Sequence, residues 1–197
     1  MPKVIQGDAR QRILKAAQER LWNNGFKKTT IDEIASDAGV GKGTVYLYFD
    51  SKEDIALTIM AAFKEEMLEV QESLVRDPAK SPLEKLREMI LLPCARSHEA
   101  IAQHPTAMEM VTVIRPHFQI RMRPYFEQEI ALIAQVLEEG NRSGVFAVSD
   151  TISAARSVKY MVAGFWPPYP CVADPVQRSE EIVKVIDLAV QGLRKSG

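Results

Sequence analysis

The stretch TTIDEIASDAGVGKGTVYLYFDSK, residues 29–52, is the part of the chain around which the rest is organised. It predicts two short helices joined by a tight turn. Thr30 and Glu33 fit a capping box, in which the threonine hydroxyl accepts the backbone N–H of Glu33 and the glutamate carboxylate reaches back. Gly39 is expected to end the first helix, because glycine adopts a positive φ at no steric cost. The second helix is expected to run through residues 44–49.

Two short helices joined by a turn that contains glycine are typical of a helix-turn-helix, whose second helix lies in the major groove of DNA. The start of the second helix would meet base edges, while the tyrosine hydroxyls and the following lysine would meet phosphates. A capped amphipathic helix with packed tyrosines would give the same pattern without any DNA. The predicted DNA-binding residues are Thr30, Lys42, Gly43, Thr44, Tyr46, Leu47, Tyr48 and Lys52.

Three strings carry a resemblance to a known family: TIDEIA at 30–35, AGVGKGTVYLYF at 38–49 and SKED at 51–54. They resemble the DNA-binding domain of the TetR (tetracycline-repressor) family of bacterial transcriptional regulators, without a gap from about Arg10 to about Ala62. The resemblance implies a homodimeric regulator, usually a repressor, that binds a palindromic operator in double-stranded DNA. A small apolar or aromatic effector would release it. A regulator of the same family with no small-molecule inducer, controlled by a protein partner, remains the alternative.

The rest of the chain predicts an all-α fold, because apolar residues recur at helical spacing and no strand-like alternation stands out. The family pattern implies a helix-turn-helix DNA-binding domain at 1–50 and a larger helical effector-binding and dimerisation domain at 51–197, joined by a long helix at 51–75. By analogy, the effector would favour a conformer in which that helix sets the two DNA-binding domains at a spacing that the operator cannot match.

Prolines suggest breaks in the middle of the chain, since proline removes one helical hydrogen bond. Pro93 is expected to kink or interrupt the helix that opens at Ser81. Pro116 is expected to separate a short helical piece at 106–114 from a longer one at 118–141, with Pro124 as a possible true start. The proline-rich stretch 164–170 is expected to be an irregular linker.

The resemblance also assigns roles to the helices of the larger domain. Helices at about 149–165 and 175–193 occupy the positions from which family members form a homodimer. The middle helices would enclose an effector pocket, although each candidate for its wall is also a common core residue. These candidates are Met89, Cys94, His98, Met108, Met110, Phe118, Tyr125, Tyr160, Phe165 and Trp166.

Composition sets limits on other functions. The net charge of −1 does not favour a DNA-binding protein, but Lys27, Lys28, Lys42 and Lys52 lie in or beside the motif. No catalytic triad, phosphate loop or metal-ligand spacing is evident, so we expect neither an enzyme nor a cofactor nor a metal site. No apolar run reaches the roughly 18 residues of a membrane span, and no leader sequence is evident. We therefore expect a cytoplasmic protein with no membrane contact.

Overall fold

The computed structural model describes residues 6–166 and 174–193, and every regular element in this part of the chain is a helix. The prediction of an all-α fold is confirmed. Most of the linker predicted at 164–170 lies outside the described residues, as does Cys171. The helices are α1 (Gln6–Asn24), α2 (Ile31–Asp37), α3 (Lys42–Tyr48), α4 (Lys52–Arg76), α5 (Pro82–Gln103), α6 (Ala107–Arg142), α7 (Thr151–Met161), a 3-10 helix (Ala163–Phe165) and α8 (Pro175–Leu193).

The chain forms two units, each with its own apolar core. Among the described residues, the first unit comprises those through Lys64 together with Ala100–Met122, and the second comprises Glu65–Glu99 and those from Arg123 onward. The boundary that the sequence suggests at residue 50 stays a prediction. The first core draws on α1, α2, α3, the start of α4 and two residues of α6, and its fully buried side chains include Ile13, Leu21, Ile34, Val45, Ile55 and Ile114.

The helix-turn-helix forms where the sequence predicts it, for local reasons. Thr30 is the N-cap of α2, and both hydrogen bonds of the capping box with Glu33 are present. Gly39 follows the helix with φ of +63°, a conformation that residues with a side chain rarely adopt. Val40 then donates its backbone N–H to the carbonyl of Ala35 at 3.0 Å. These contacts lie within eleven residues, so the motif follows from its own sequence.

The second unit has a larger core, contributed by the end of α4 and by α5, α6, α7 and α8. Its fully buried side chains include Leu86, Met89, Ile133, Leu137, Ala155 and Ile186. Lys85 is also buried there, and its ammonium donates to the carbonyl of Val75 at 2.9 Å and to the carboxylate of Glu139 at 2.8 Å. A lysine that meets a carbonyl of the last turn of α4 stabilises that helix end.

The break predicted at Pro93 is wrong, because α5 continues through it. Proline at this position leaves the carbonyl of Met89, four residues earlier, without its helical donor. The side-chain amide of Gln71, on α4, supplies the missing hydrogen bond at 2.8 Å. A neighbouring helix therefore satisfies the buried acceptor that the proline leaves without a donor, and α5 continues.

The break predicted at Pro116, and the helix start considered at Pro124, are wrong for a related reason. Both prolines lie inside α6, which runs unbroken for 36 residues. The carbonyls that lose their donors belong to Thr112 and Ile120, and both residues are exposed. Water can therefore bond these carbonyls, so each proline costs less than it would in a buried helix.

Candidate nucleic-acid interface

Helix α3 has one buried face and one exposed face. Val45 is fully buried and anchors the helix on the first core, while Thr44 and Tyr48 are half-buried. Tyr46 is 50% exposed and Leu47 is 82% exposed. Lys42 and Gly43 are exposed as well, so four of the eight predicted DNA-binding residues lie on the open face of this helix.

The backbone of α3 is accessible at its start. A Cβ atom added at Gly43 would meet no other atom within 4 Å. The N-cap residue, Gly41, makes no side-chain capping hydrogen bond. A flat partner such as the edge of a base can therefore approach the main chain closely at this point.

Lys42 forms an ion pair across the turn of the motif. Its ammonium donates to Oδ2 of Asp32 at 2.8 Å, and both side chains are exposed. The hydrogen bond and the negative charge of Asp32 raise the pKa of Lys42. Asp32 lies in the first turn of α2, where an acid is favourable for the helix dipole, and sequence reasoning assigned it no role. Its contact with Lys42 was missed, because the ten-residue separation follows no single helical period.

Thr30 is occupied by the capping box. Its hydroxyl accepts the backbone N–H of Glu33 at 3.3 Å and donates to Oε2 of the same carboxylate at 2.9 Å. The backbone N–H and hydroxyl of Thr30 lower the pKa of Glu33. Arg20 of α1 pairs with Glu33 at 3.2 Å and also binds Asp37, which ties α2 to α1. Thr30 thus fixes the start of α2, and its DNA contact stays a prediction.

Lys52 has a structural environment that its sequence position does not reveal. Its ammonium donates to the carbonyls of Phe26 at 2.6 Å and Thr29 at 2.7 Å. It also lies 4.3 Å from the centre of the Phe26 ring. These contacts hold the turn between α1 and α2, whereas sequence reasoning assigned this lysine to a phosphate. The phosphate contact stays a prediction.

Residues just before and at the start of α6 contact the end of α1 and the turn that follows it, within the first unit. The hydroxyl of Thr106 donates to the carbonyl of Trp22, and the indole ring of Trp22 lies 4.5 Å from the His104 ring. The carboxylate of Glu109 accepts the backbone N–H of Lys27 at 3.3 Å. Residues near 104–109 therefore hold the end of α1 and the turn that leads to α2, a role that their proline-containing sequence did not suggest.

The ten candidates for an effector pocket do not gather in one unit. Met108, Met110 and Phe118 lie in the first unit, and Met110 belongs to its core. The other seven lie in the second unit. Among these, Tyr160 is exposed, and the Tyr125 hydroxyl donates to Glu65 at 2.8 Å. The effector assignments stay predictions.

Three of the candidates in the second unit do meet. Nε2 of His98 lies 2.6 Å from the carbonyl of Phe165, and the thiol of Cys94 lies 3.7 Å from the same oxygen. Met89 and Phe165 belong to the same core. Burial lowers the pKa of His98 and raises the pKa of Cys94 to about 11. A neutral imidazole and an un-ionised thiol thus face the 3-10 helix after α7.

A buried ion pair was not predicted from the sequence. Glu129 of α6 is fully buried and pairs with the ammonium of Lys159 on α7. That ammonium lies 5.1 Å from the ring centre of Trp166 and 5.8 Å from that of Phe126. A buried carboxylate is costly without such a partner. No sequence pattern identifies Glu129 as buried. An acidic residue in an amphipathic helix is normally expected to face solvent.

The described residues provide two further findings. Within 6–166 and 174–193, no group of three or more His, Cys, Asp or Glu side chains is arranged to hold a metal ion. No helix in those ranges combines the length and apolar character required to cross a bilayer.

Comparison with known proteins gives two matching family models. The model of bacterial regulatory proteins of the tetR family matches residues 13–59. The model of the tetracyclin repressor-like C-terminal domain matches residues 82–181, about half of the chain.

Two curated relatives match most of the chain at moderate identity. It is 28% identical over 161 residues to the fatty acid metabolism regulator protein of Bacillus subtilis (strain 168), covering 80% of this chain and 77% of that protein. It is 27% identical over 175 residues to the HTH-type transcriptional repressor BepR of Brucella suis biovar 1 (strain 1330), covering 83% of this chain and 81% of that one.

Solved structures share the fold. SmeT, the repressor of the Stenotrophomonas maltophilia multidrug efflux pump SmeDEF, has a TM-score of 0.71 at 20% identity, with 96% of this chain and 94% of that chain covered. A TetR/AcrR-family regulator from Thermobifida fusca has a TM-score of 0.70 at 24% identity, with 95% and 100% covered.

Proposed function

This chain belongs to the TetR family of bacterial regulatory proteins and is a transcription regulator, not an enzyme, and from that premise we propose that it is a repressor of a palindromic operator. The observation that carries the proposal is the open face of α3, with Lys42, Gly43, Tyr46 and Leu47 exposed around a buried Val45. Two of the similar proteins are named repressors. Because it would act on chromosomal DNA, we assign it to the cytoplasm.

The distribution of exposed apolar side chains supports a homodimer through α7 and α8. Ten large apolar residues are exposed in the described part of the chain, and six of them lie on these two helices. Such residues are typical of protein–protein contacts. A two-fold dimer would present its two α3 helices to half-sites about 34–36 Å apart. The six are Ile152, Tyr160, Met161, Val176, Val183 and Leu188.

The second unit is the proposed site of effector control. Cys94, His98 and Phe165 meet in the apolar core of this unit, and an apolar or aromatic effector that opened a space there could take the hydrogen bond that His98 now makes with the carbonyl of Phe165. An effector would release the operator only by its higher affinity for a conformer that does not fit DNA. The alternative is a regulator of this family controlled by a protein partner. Thermal-shift measurements against metabolites and drugs separate the two, because only an effector-controlled repressor is stabilised by a compound that also weakens operator binding.

Operator binding is tested with the full-length protein on the DNA upstream of its own gene. Fluorescence anisotropy across a salt series should show tight binding to one duplex and weaker, strongly salt-dependent binding to an unrelated one. Lys42→Ala should weaken operator binding, while Arg76→Ala, at an exposed position on α4 in the second unit, should not. The proposal fails if no duplex is bound in a salt-dependent way.

A further inference from the structure

The ion pair between Asp32 and Lys42 lies next to the open face of α3. We propose that Asp32 is a positioning residue for sequence recognition. It directs the ammonium of Lys42 to base edges and keeps it from contacting phosphates. This inference rests on the proposed function, since it concerns how the same surface distinguishes an operator from other DNA. Asp32 is the second residue of α2 and Lys42 is the first of α3, so the pair spans the turn of the motif.

The hydrogen-bonding capacity of Lys42 fits this role. An ammonium has three donors, and the contact of 2.8 Å with Asp32 uses one. The remaining two can meet acceptors such as O6 and N7 of guanine. Because Asp32 is attached to a capped helix, it restricts a side chain that would otherwise sample many rotamers. The lysine is therefore held near α3 before DNA arrives.

The charge of Asp32 acts against non-specific binding. Affinity for any duplex depends on how many cationic side chains neutralise phosphates. A carboxylate paired with Lys42 cancels that charge at a distance, so unrelated DNA gains little from this lysine. In the operator complex, directed hydrogen bonds from Lys42 to a matching base compensate for this reduced attraction to phosphates. Specificity is the difference between the two affinities, and Asp32 increases it by weakening the wrong complex.

The ion pair has little to contribute to the stability of the fold. Both side chains are more than half exposed, at 66% for Asp32 and 53% for Lys42, and exposed pairs contribute little to stability. The start of α2 is already fixed by Thr30 and Glu33. Removing the carboxylate of Asp32 should therefore change DNA binding while leaving the protein folded.

The test compares wild type with Asp32→Asn, as full-length protein, on the operator and on an unrelated duplex of equal length. With Lys42 released to phosphates, the slope of log affinity against log salt on unrelated DNA should steepen by about 0.9 per subunit. The operator-to-unrelated affinity ratio should fall roughly three- to tenfold. In operators changed one base pair at a time, Asp32→Asn should lose discrimination at the same position as Lys42→Ala.

Two controls make the outcome decisive. In a Lys42→Ala background, Asp32→Asn should leave the affinity ratio unchanged. A comparable fall in that background would mean that Asp32 contacts a base itself, and it would overturn the inference, as would an unchanged slope and ratio in the wild-type background. Thermal unfolding checks that each variant is folded, with Asp32→Ser as the second neutral variant. If wild type binds no duplex, the proposed function fails; if wild type binds and Asp32→Asn behaves identically, only the role of Asp32 fails.

Discussion

The side-chain amide of Gln71 donates a hydrogen bond of 2.8 Å to the carbonyl of Met89. Pro93 has no N–H to serve that acceptor, so Gln71→Leu should leave a buried carbonyl unsatisfied and lower the free energy of unfolding by about 1–3 kcal/mol. Pro93→Ala restores the helical N–H donor to the carbonyl of Met89, so in that background Gln71→Leu should lower the free energy of unfolding by less. Chemical denaturation of the four proteins in a double-mutant cycle measures the coupling. Independent effects would show that Gln71 does not compensate for the proline.

Gly140 lies in the last turn of α6, where Phe146 folds back over the helix. A Cβ at this position would lie 2.0 Å from Cδ2 of the Phe146 ring. Gly140→Ala should therefore displace a buried phenylalanine and cost about 1–3 kcal/mol of unfolding free energy. Gly192→Ala is the matched control, since its Cβ would meet nothing within 4 Å and alanine favours the helix. Equal thermal midpoints for the two variants would contradict this packing of Phe146 on Gly140.

Gly43 separates the stability of α3 from DNA binding. Because a Cβ at this position would have no atom within 4 Å, Gly43→Ala should stabilise the free protein by about 0.5–1 kcal/mol. The same methyl group would stand between the backbone and a base, so operator binding should weaken by about 1–3 kcal/mol. Calorimetry and anisotropy on one sample give both values. Unchanged operator affinity would show that the main chain at Gly43 does not approach DNA closely.

Substitution of Lys52 tests whether this lysine contacts a DNA phosphate in addition to the carbonyls of the turn. Lys52→Met removes the ammonium from the carbonyls of Phe26 and Thr29, and should lower the unfolding free energy by roughly 2 kcal/mol. Lys28→Met, at an exposed position in the same turn, should leave the unfolding free energy unchanged. If Lys52 acts only on the turn, the salt dependence of DNA binding stays the same. A slope that falls by about 0.9 per subunit would establish the phosphate contact that the sequence predicts.

Leu188 tests the proposed dimer. It is 62% exposed on α8, and Leu188→Asp should place a charge in an apolar contact and shift the protein toward monomers in sedimentation velocity. Ile120→Asp, at an even more exposed site on α6, should leave the mass unchanged. Operator affinity should fall with the dimer fraction. If both variants sediment like wild type, the contact lies elsewhere.

The helix-turn-helix could be predicted because its determinants are local. The capping pair of Thr30 and Glu33 is three residues apart, and the positive φ at Gly39 needs only that residue and its neighbours. The continuity of α5 depends instead on Gln71, eighteen residues before Met89 and on another helix. Spacing within one segment does not reveal such a partner.

The environments of individual site residues follow the same rule: those set by nearby residues could be predicted, and those set by distant partners could not. Exposure of Leu47 and burial of Val45 follow from the helical period of α3. The carbonyls that hold Lys52 are 23 and 26 residues away, so sequence alone presented this lysine as available for phosphate. Met110 was a candidate for the pocket wall, and nothing in its own segment reveals that it packs in the core of the first unit.

Helix α3 has only seven residues and one fully buried anchor, Val45. A free peptide of that length would not remain helical in water, so its shape depends on Ile13, Leu21 and the other core residues behind it. A genetic screen for derepressed reporter colonies would therefore recover lesions inside α1 alongside lesions on the open face. A lower growth temperature should restore repression in the first class, whose defect is in folding, and leave the reporter expressed in the second.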